Sequence, residues 1–285
     1  MTASRHRYFD GEKAAYRGTA VAAVFLLDTF TTSTGGYSFR QLKTGATKAV
    51  RIRRASDNAE QDFAFDGSGN FDATGAATFL TATTGFITTM YDQSGNARDM
   101  VQATAGLQPT YSASAGPASK PSALYTTGSN IGLRSGAVTS NNFVTVNDAY
   151  IISVFNASAD GTIFGDWGDS LHSYVQGGSS RVLNYEDDGA AKNVLVTTFA
   201  YNTSYIVDYT HVAGTTMYGK LSGQTEVSLA AGTNLGTLTA SNMAIGSNSS
   251  FTTATSYISE VVFWNADPGR ASVRSNLSTY YGLAV

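Results

Sequence analysis

The sequence predicts a mainly β protein: an antiparallel β-sandwich with a few short helices, one of them at the C-terminus. Three observations carry that prediction. From residue 123 onward, short apolar runs rich in Val, Ile, Tyr and Phe recur roughly every ten residues, the rhythm of a sandwich. Gly, Asn and Ser fill the intervals, where tight turns need them. Near the end, residues 257–264 read as a strand apolar on both faces near its close, followed by Asp267-Pro268 and a segment with helical spacing.

Taken in order, residues 1–18 are polar and mildly basic (Arg5, Arg7, Lys13, Arg17) with Tyr8, Phe9 and Tyr16 interspersed. They read either as a loosely ordered terminus or as an arm that docks on a neighbouring subunit. Residues 19–27 are an apolar core segment whose periodicity does not separate strand from helix. Residues 37–42, 49–54 and 61–66 read as three short strands. In the second, side-chain alternation puts Arg51 and Arg53 on one face and Val50, Ile52 and Arg54 on the other. Those arginines either pair with Asp57, Glu60 or Asp62, or bind a sugar or anion.

Oxygen-bearing side chains alternate through Asp66, Ser68, Asn70 and Asp72, yet Phe71 stands where a calcium loop needs glycine and Ala77 where it needs a bidentate Glu. Asp72 reads instead as the N-cap of a helix over residues 73–82, closed near Gly85. Residues 87–91 form a strand that breaks into Asp92-Gln93-Ser94-Gly95-Asn96, a polar turn able to satisfy its own backbone donors. Residues 112–122 are a Ser/Ala/Gly/Pro loop. Strands follow at 124–125, 150–155, 162–164, 172–175, 182–185, 194–199, 205–209, 216–221, 226–229, 243–245 and 257–264. Asp267 and Pro268 open the last helix, Val273, Leu277 and Tyr280 define its apolar face, and Gly282 closes it. The organisation expected is an arm (1–18) and one domain (19–285), with 19–122 as its first part and 123–285 as the main sandwich.

The turn Tyr91-Asp92-Gln93-Ser94-Gly95-Asn96, followed by Gln102-Ala103-Thr104-Ala105 and Gln108-Pro109, resembles a signature of concanavalin A-like domains in tailed-phage virion proteins. It is also similar to part of the catalytic domain of alpha-L-arabinofuranosidase B. Upstream, Tyr37 to Leu42 and the segment holding Arg51, Arg53, Asp57 and Asp62 fit the companion motif of the same family. The close of the chain, Glu260-Val261-Val262-Phe263-Trp264-Asn265 and the terminal helix, resembles laminin-G-like and concanavalin-like phage domains. The resemblance implies a concanavalin-like jelly roll in which Arg51, Arg53, Asp57, Asp62, Tyr91, Asp92, Gln93, Ser94 and Asn96 form a structural motif.

Composition narrows the chemistry. Charged residues are 14% of 285 and the net charge is −3, so no broad basic field attracts nucleic acid or an anionic membrane. No apolar run is long enough to span a bilayer, and no secretory leader is read at the start. Cysteine is absent, which excludes disulfides and thiolate metal sites and fits assembly in a reducing cytoplasm. No cofactor motif appears, and His6, His172 and His211 lack metal-ligand spacing. Glycoside hydrolysis needs two carboxyl groups flanking one bond, about 5–9.5 Å apart. Glu186, Asp187 and Asp188 read as a solvated hairpin tip, Asp166 and Asp169 flank Trp167, and Glu260 lies in a strand. Trp167 with Asp166 and Asp169 offers an aromatic face and hydroxyl acceptors for a neutral sugar, or else Trp167 caps the sandwich edge.

The arabinofuranosidases of the resemblance are disulfide-bonded, and this chain is not. The expectation is therefore a non-enzymatic virion protein, a capsid decoration or tail fibre on the particle surface. It would contact other virion proteins or further copies of itself through its arm, and host-surface polysaccharide. The alternative is a glycoside hydrolase.

Overall fold

The structure is a computed structural model that describes residues 24–126, 131–139, 142–144, 148–166, 171–176, 181–187, 191–197, 199–230, 242–247 and 255–285. The arm at residues 1–18 lies outside the described residues. The first part holds α1 (Leu26–Thr29), β1 (Ser33–Ser38), β2 (Val50–Arg54), β3 (Glu60–Phe63), α2 (Ala73–Leu80), β4 (Gly85–Met90), β5 (Met100–Val101), β6 (Thr110–Ser112) and β7 (Ser122–Tyr125). The second holds β8 (Leu133–Thr139), β9 (Asp148–Ala157), β10 (Gly161–Asp166), β11 (Leu171–Gln176), β12 (Arg181–Asp187) and β13 (Ala191–Thr197). It continues with β14 (Ser204–Val212), β15 (Thr216–Leu221), β16 (Val227–Ala230), β17 (Asn242–Ile245), β18 (Ser256–Trp264) and α3 (Arg270–Tyr281).

Among the described residues, 18 strands join in one antiparallel hydrogen-bonded network that doubles back as two layers. One layer runs β16, β15, β14, β9, β18, with β7 and β1 sharing the far edge of β18. The other runs β13, β12, β11, β10, β17, β8. A small unit of β2 to β6 joins them, since β6 pairs with β7 and β5 with β8.

Strand alternation explains why β9 and β18 carry apolar residues at both odd and even positions. In β9, Ala149, Ile151 and Phe155 pack between the layers with Phe164, Leu171, Val207 and Met243. Tyr150, Ile152 and Val154 face the other way, under Val273, Leu277 and Tyr281 of α3 and Leu26 and Leu27 of α1. Both faces are buried, so both are largely apolar.

In β18 the register slips between Ile258 and Glu260. This bulge moves Glu260 to the helix-covered face, the face of Val262 and Trp264. There a fully buried carboxylate meets a buried guanidinium. Arg40 Nε donates to Glu260 Oε2 at 2.7 Å and Nη2 to Oε1 at 2.9 Å. Ser38 Oγ and Tyr281 OH donate to the same carboxylate at 2.9 and 3.1 Å. Arg40 Nη1 reaches Asn276 Oδ1 at 2.9 Å. The cluster ties β1, β18 and α3 together.

Local expectations are refined where side chains replace backbone partners. Asp72 caps α2 through Gly75 N–H at 2.8 Å, but left-handed Thr81 (φ 43°), not Gly85, ends the helix. The helix α3 begins two residues later than Asp267-Pro268 suggests. Gly269 (φ 102°) is its N-cap, and Asp267 Oδ1 accepts from Gly269 N–H and Arg270 N–H, both at 2.8 Å. The inward aromatic of α3 is Tyr281, while Tyr280 is half-buried at the surface. The apolar segment before Asp28 ends as helix, with Leu26 and Leu27 buried.

Removing one partner of a buried ion pair leaves the other charge uncompensated, at a cost of about 3–5 kcal/mol. Glu260→Gln is expected to lose that much unfolding free energy in urea at pH 7; a loss under about 1 kcal/mol would contradict the assigned role of the pair.

Candidate functional site

The turn at residues 91–99 is built almost entirely from side chains substituting for strand ladders. Asp92 Oδ1 accepts from Gly36 N–H (3.0 Å) and Ser94 N–H (2.9 Å), and Oδ2 accepts from Ser94 Oγ (2.8 Å) and Arg98 N–H (3.1 Å). Gln93, buried, donates to the carbonyls of Ser38 and Arg40 and accepts Leu42 N–H at 2.7 Å. That bonding explains why β1 ends at Ser38 although residues 37–42 look strand-like. Asn96 Nδ2 donates to Ser33 O at 3.0 Å. Gly95 (φ 94°) and Ala97 (φ 56°) both take left-handed backbone; for Ala97 this is strain that the surrounding bonds hold in place.

Over this turn lies a cavity of about 440 Å³, walled by Lys43, Lys48, Tyr91, Asp92, Gln93 and Asp99. Its size suits a small ligand, within the usual ~300–1,000 Å³. Asp99 is half-buried and accepts Asp92 N–H at 2.9 Å through Oδ1. Burial raises its carboxyl above the ordinary range; the bond from Asp92 N–H opposes this and the Asp92 charge adds to it. Lys43 Nζ is tethered to Ser94 O at 2.7 Å, and Lys48 Nζ to Asp62 Oδ2 at 2.6 Å. Tyr91 OH donates to Asp62 Oδ1 at 2.6 Å, and burial with that neighbour pushes its hydroxyl up to about 12. Two carboxylates, two ammonium groups and a phenol on one wall suit a polyhydroxyl ligand, which both donates and accepts hydrogen bonds.

The arginines of the companion motif are structural partners. Arg51 Nε binds Asp62 at 2.6 Å, Arg54 pairs with Asp57 at 2.6 Å, and Arg53 bonds Gln108 and Asn58. The hydrogen bond from Arg51 holds Asp62 well below the usual carboxylate range. Asp66 spends its Oδ1 on Ser68 N–H and Asn70 N–H, closing its own loop.

Other acids fall elsewhere. Asp166 ends β10 fully buried, its Oδ1 accepting Leu171 N–H at 2.8 Å. Trp167 and Asp169 lie outside the described residues. Glu186 and Asp187 sit in β12, where Asp187 faces Ala191 across the hairpin, and Asp188 lies outside the described residues. Sequence reasoning missed Asp99, Lys43 and Lys48 as one cavity wall, and the partner of Glu260, which stands 220 positions away. It also missed Asp208, buried between Tyr150 OH (3.1 Å) and Arg274 Nε (2.8 Å). The Arg274 contact is ionic without an aligned hydrogen bond, and Arg274 is shared with Glu226 at 2.8 Å. Burial therefore wins, raising Asp208 from 3.8 to about 6.

The sequence matches the model of the family "Alpha-L-arabinofuranosidase B, catalytic" over residues 39–166. A search of curated proteins finds no match. Among solved structures, a GH54 α-L-arabinofuranosidase variant soaked with 4-nitrophenyl α-L-arabinofuranoside aligns with TM-score 0.65 and 16% identity, covering 91% of this chain and 65% of that one. An arabinofuranosidase complexed with arabinofuranosyl-α-1,2-xylobiose aligns with TM-score 0.57 and 17% identity, covering 89% and 63%. The chain thus spans under two thirds of the length of these proteins, and the likeness establishes a shared fold. The family match overturns the expectation of a non-enzymatic virion surface protein and favours the alternative, a glycoside hydrolase. The missing cysteines misled because the layers are closed by a large aromatic and aliphatic core rather than by disulfides.

A raised acid holds its proton longer in the native state than in the unfolded chain, so Asp208 makes stability fall as pH rises from about 4 to about 6. Asp208→Asn is expected to flatten that part of the curve in denaturant titrations; an unchanged slope would contradict it.

Proposed function

We propose that the chain is a glycoside-hydrolase-type domain that acts on α-L-arabinofuranosyl groups of a polysaccharide. The observation that carries this reading is the agreement between the family match in the motif-bearing part and the fold likeness along 91% of the chain. The cavity over the 91–99 turn is our candidate for the sugar site. Asp99, with its raised carboxyl, is the proton donor in this reading. It protonates the leaving glycosidic oxygen as the bond to the anomeric carbon breaks. Water then adds to that carbon and returns a proton to Asp99. Asp92 contributes fixed negative charge beneath the developing cation, because its four hydrogen bonds leave it poorly placed to form a covalent bond to carbon. Trp167 and Asp169 are proposed glycan contacts beside Asp166, whose Oδ1 accepts Leu171 N–H.

The same saturation of Asp92 favours a second reading, in which the domain holds the arabinofuranosyl group without cleaving it. Incubation with 4-nitrophenyl α-L-arabinofuranoside and with arabinoxylan separates the two. Release of arabinose that falls at least about 100-fold in Asp99→Asn supports hydrolysis. Retention on arabinoxylan without release supports recognition alone, and neither release nor retention removes both.

A further inference from the structure

Arg40 also lines a second cavity, of about 530 Å³, together with residues of α3 and Lys120. Its polar lining comes from Asn70, Ser275, Asn276 and Thr279, and among the described residues no acidic side chain lines it. The ring of Tyr280 stands between two cations, with Arg40 Cζ and Lys120 Nζ each 4.7 Å from its centroid. Their charges are not equivalent. Arg40 is neutralised from behind by Glu260, whereas Lys120 has no carboxylate within 4.0 Å among the described residues. In a chain of net charge −3, this cavity wall presents one unmatched positive charge beside a row of neutral donors and acceptors.

The backbone holds that charge in place. Ala118 (φ 53°) and Ser119 (φ 57°) are consecutive non-glycine residues in the left-handed region, and Lys120 N–H closes the turn on Pro117 O at 3.0 Å. Strain of this kind persists where neighbouring structure enforces it. The far wall is fixed by α3, because Asn276 is bonded to Arg40 and Thr279 Oγ1 to Ser275 O. A third, smaller cavity of about 180 Å³ shares Arg40 and Tyr280 with it and is also lined by Gln41 and Ser68. Lys120 lines only the larger of the two, so the unmatched charge belongs to that cavity.

We propose that this groove binds an acidic sugar residue, a uronate within a polysaccharide, with its carboxylate on Lys120 Nζ and its hydroxyls on Asn70, Asn276 and Thr279. A carboxylate supplies the charge-assisted bond that Lys120 lacks, and the ring hydroxyls match amide and hydroxyl partners that both donate and accept. The proposal deepens the carbohydrate reading above: it makes the domain's polysaccharide one that carries uronate as well as arabinofuranosyl groups.

The probes are a xylo-oligosaccharide bearing one glucuronate, the same oligosaccharide with its carboxyl reduced, an arabino-oligosaccharide without uronate, and inorganic phosphate, each titrated calorimetrically into the full chain. The glucuronate form is expected to bind about five- to tenfold tighter than its reduced counterpart at low salt, with the advantage shrinking as salt rises. Lys120→Ala should abolish that advantage and Lys120→Arg retain it, both with unchanged unfolding midpoints. Equal affinity for acid and reduced forms, or an advantage that survives Lys120→Ala, overturns the proposal, and so does phosphate displacing the glucuronate form at equal concentration. If the arabino-oligosaccharide binds while acid and reduced forms are indistinguishable, only this groove's role fails. If the glucuronate form alone binds, the groove stands and the arabinofuranosyl reading fails.

Discussion

The buried contact of Arg40 with Glu260 is the constraint on which the arrangement of the rest depends. A carboxylate with no solvent exposure is tolerable only when fully bonded, and Glu260 receives four hydrogen bonds from Arg40, Ser38 and Tyr281. To reach them, β18 must bulge, β1 must end beside it, and α3 must lie across the layer. The same arginine belongs to the segment that Gln93 gathers, since its carbonyl accepts Gln93 Nε2 at 3.1 Å. One residue thus links the polar turn, the sheet edge and the terminal helix. Of the two cavities that carry the functional argument, one is lined by Arg40 itself and the other by Gln93, which bonds its carbonyl.

Much of this layout was legible in the sequence. The strand rhythm after residue 123 corresponds to β9 through β18, because those strands obey local rules: apolar positions alternating, with turn residues between. Asp72 and Gly282 mark helix ends for equally local reasons, a carboxylate accepting Gly75 N–H and a left-handed φ of 65°. What local rules do not encode is long-range. Gln93 ends β1 by bonding residues more than 50 positions away, and the bulge that turns Glu260 toward Arg40 exists only once β9 pairs with β18. Asp99 carries no sequence signal apart from its place in the turn motif; its raised carboxyl follows from burial beside Asp92.

Function was legible in the motifs but was weighed toward the wrong branch. Disulfides report how a fold is stabilised, and here the space between the layers is filled by Tyr37, Phe143, Phe164 and Phe263, whose ring centroids lie 5.3–6.5 Å apart. A sandwich so packed has no need of crosslinks, so their absence says nothing of its chemistry. Asp92, Gln93 and Asn96 hold the turn in shape, while Asp99, Tyr91 and the tethered lysines line the cavity beside Asp92 and Gln93. Scaffold and site are thus made by neighbouring residues of one stretch.

The central claim, that the cavity over this turn receives an arabinofuranosyl group, is tested most directly by crystals soaked with an arabino-oligosaccharide. The account predicts ordered sugar between residues 43–48 and the 91–99 turn, with a ligand oxygen within hydrogen-bond distance of Asp99 Oδ2. Sugar ordered elsewhere on the sandwich, with this cavity holding only solvent, would contradict it.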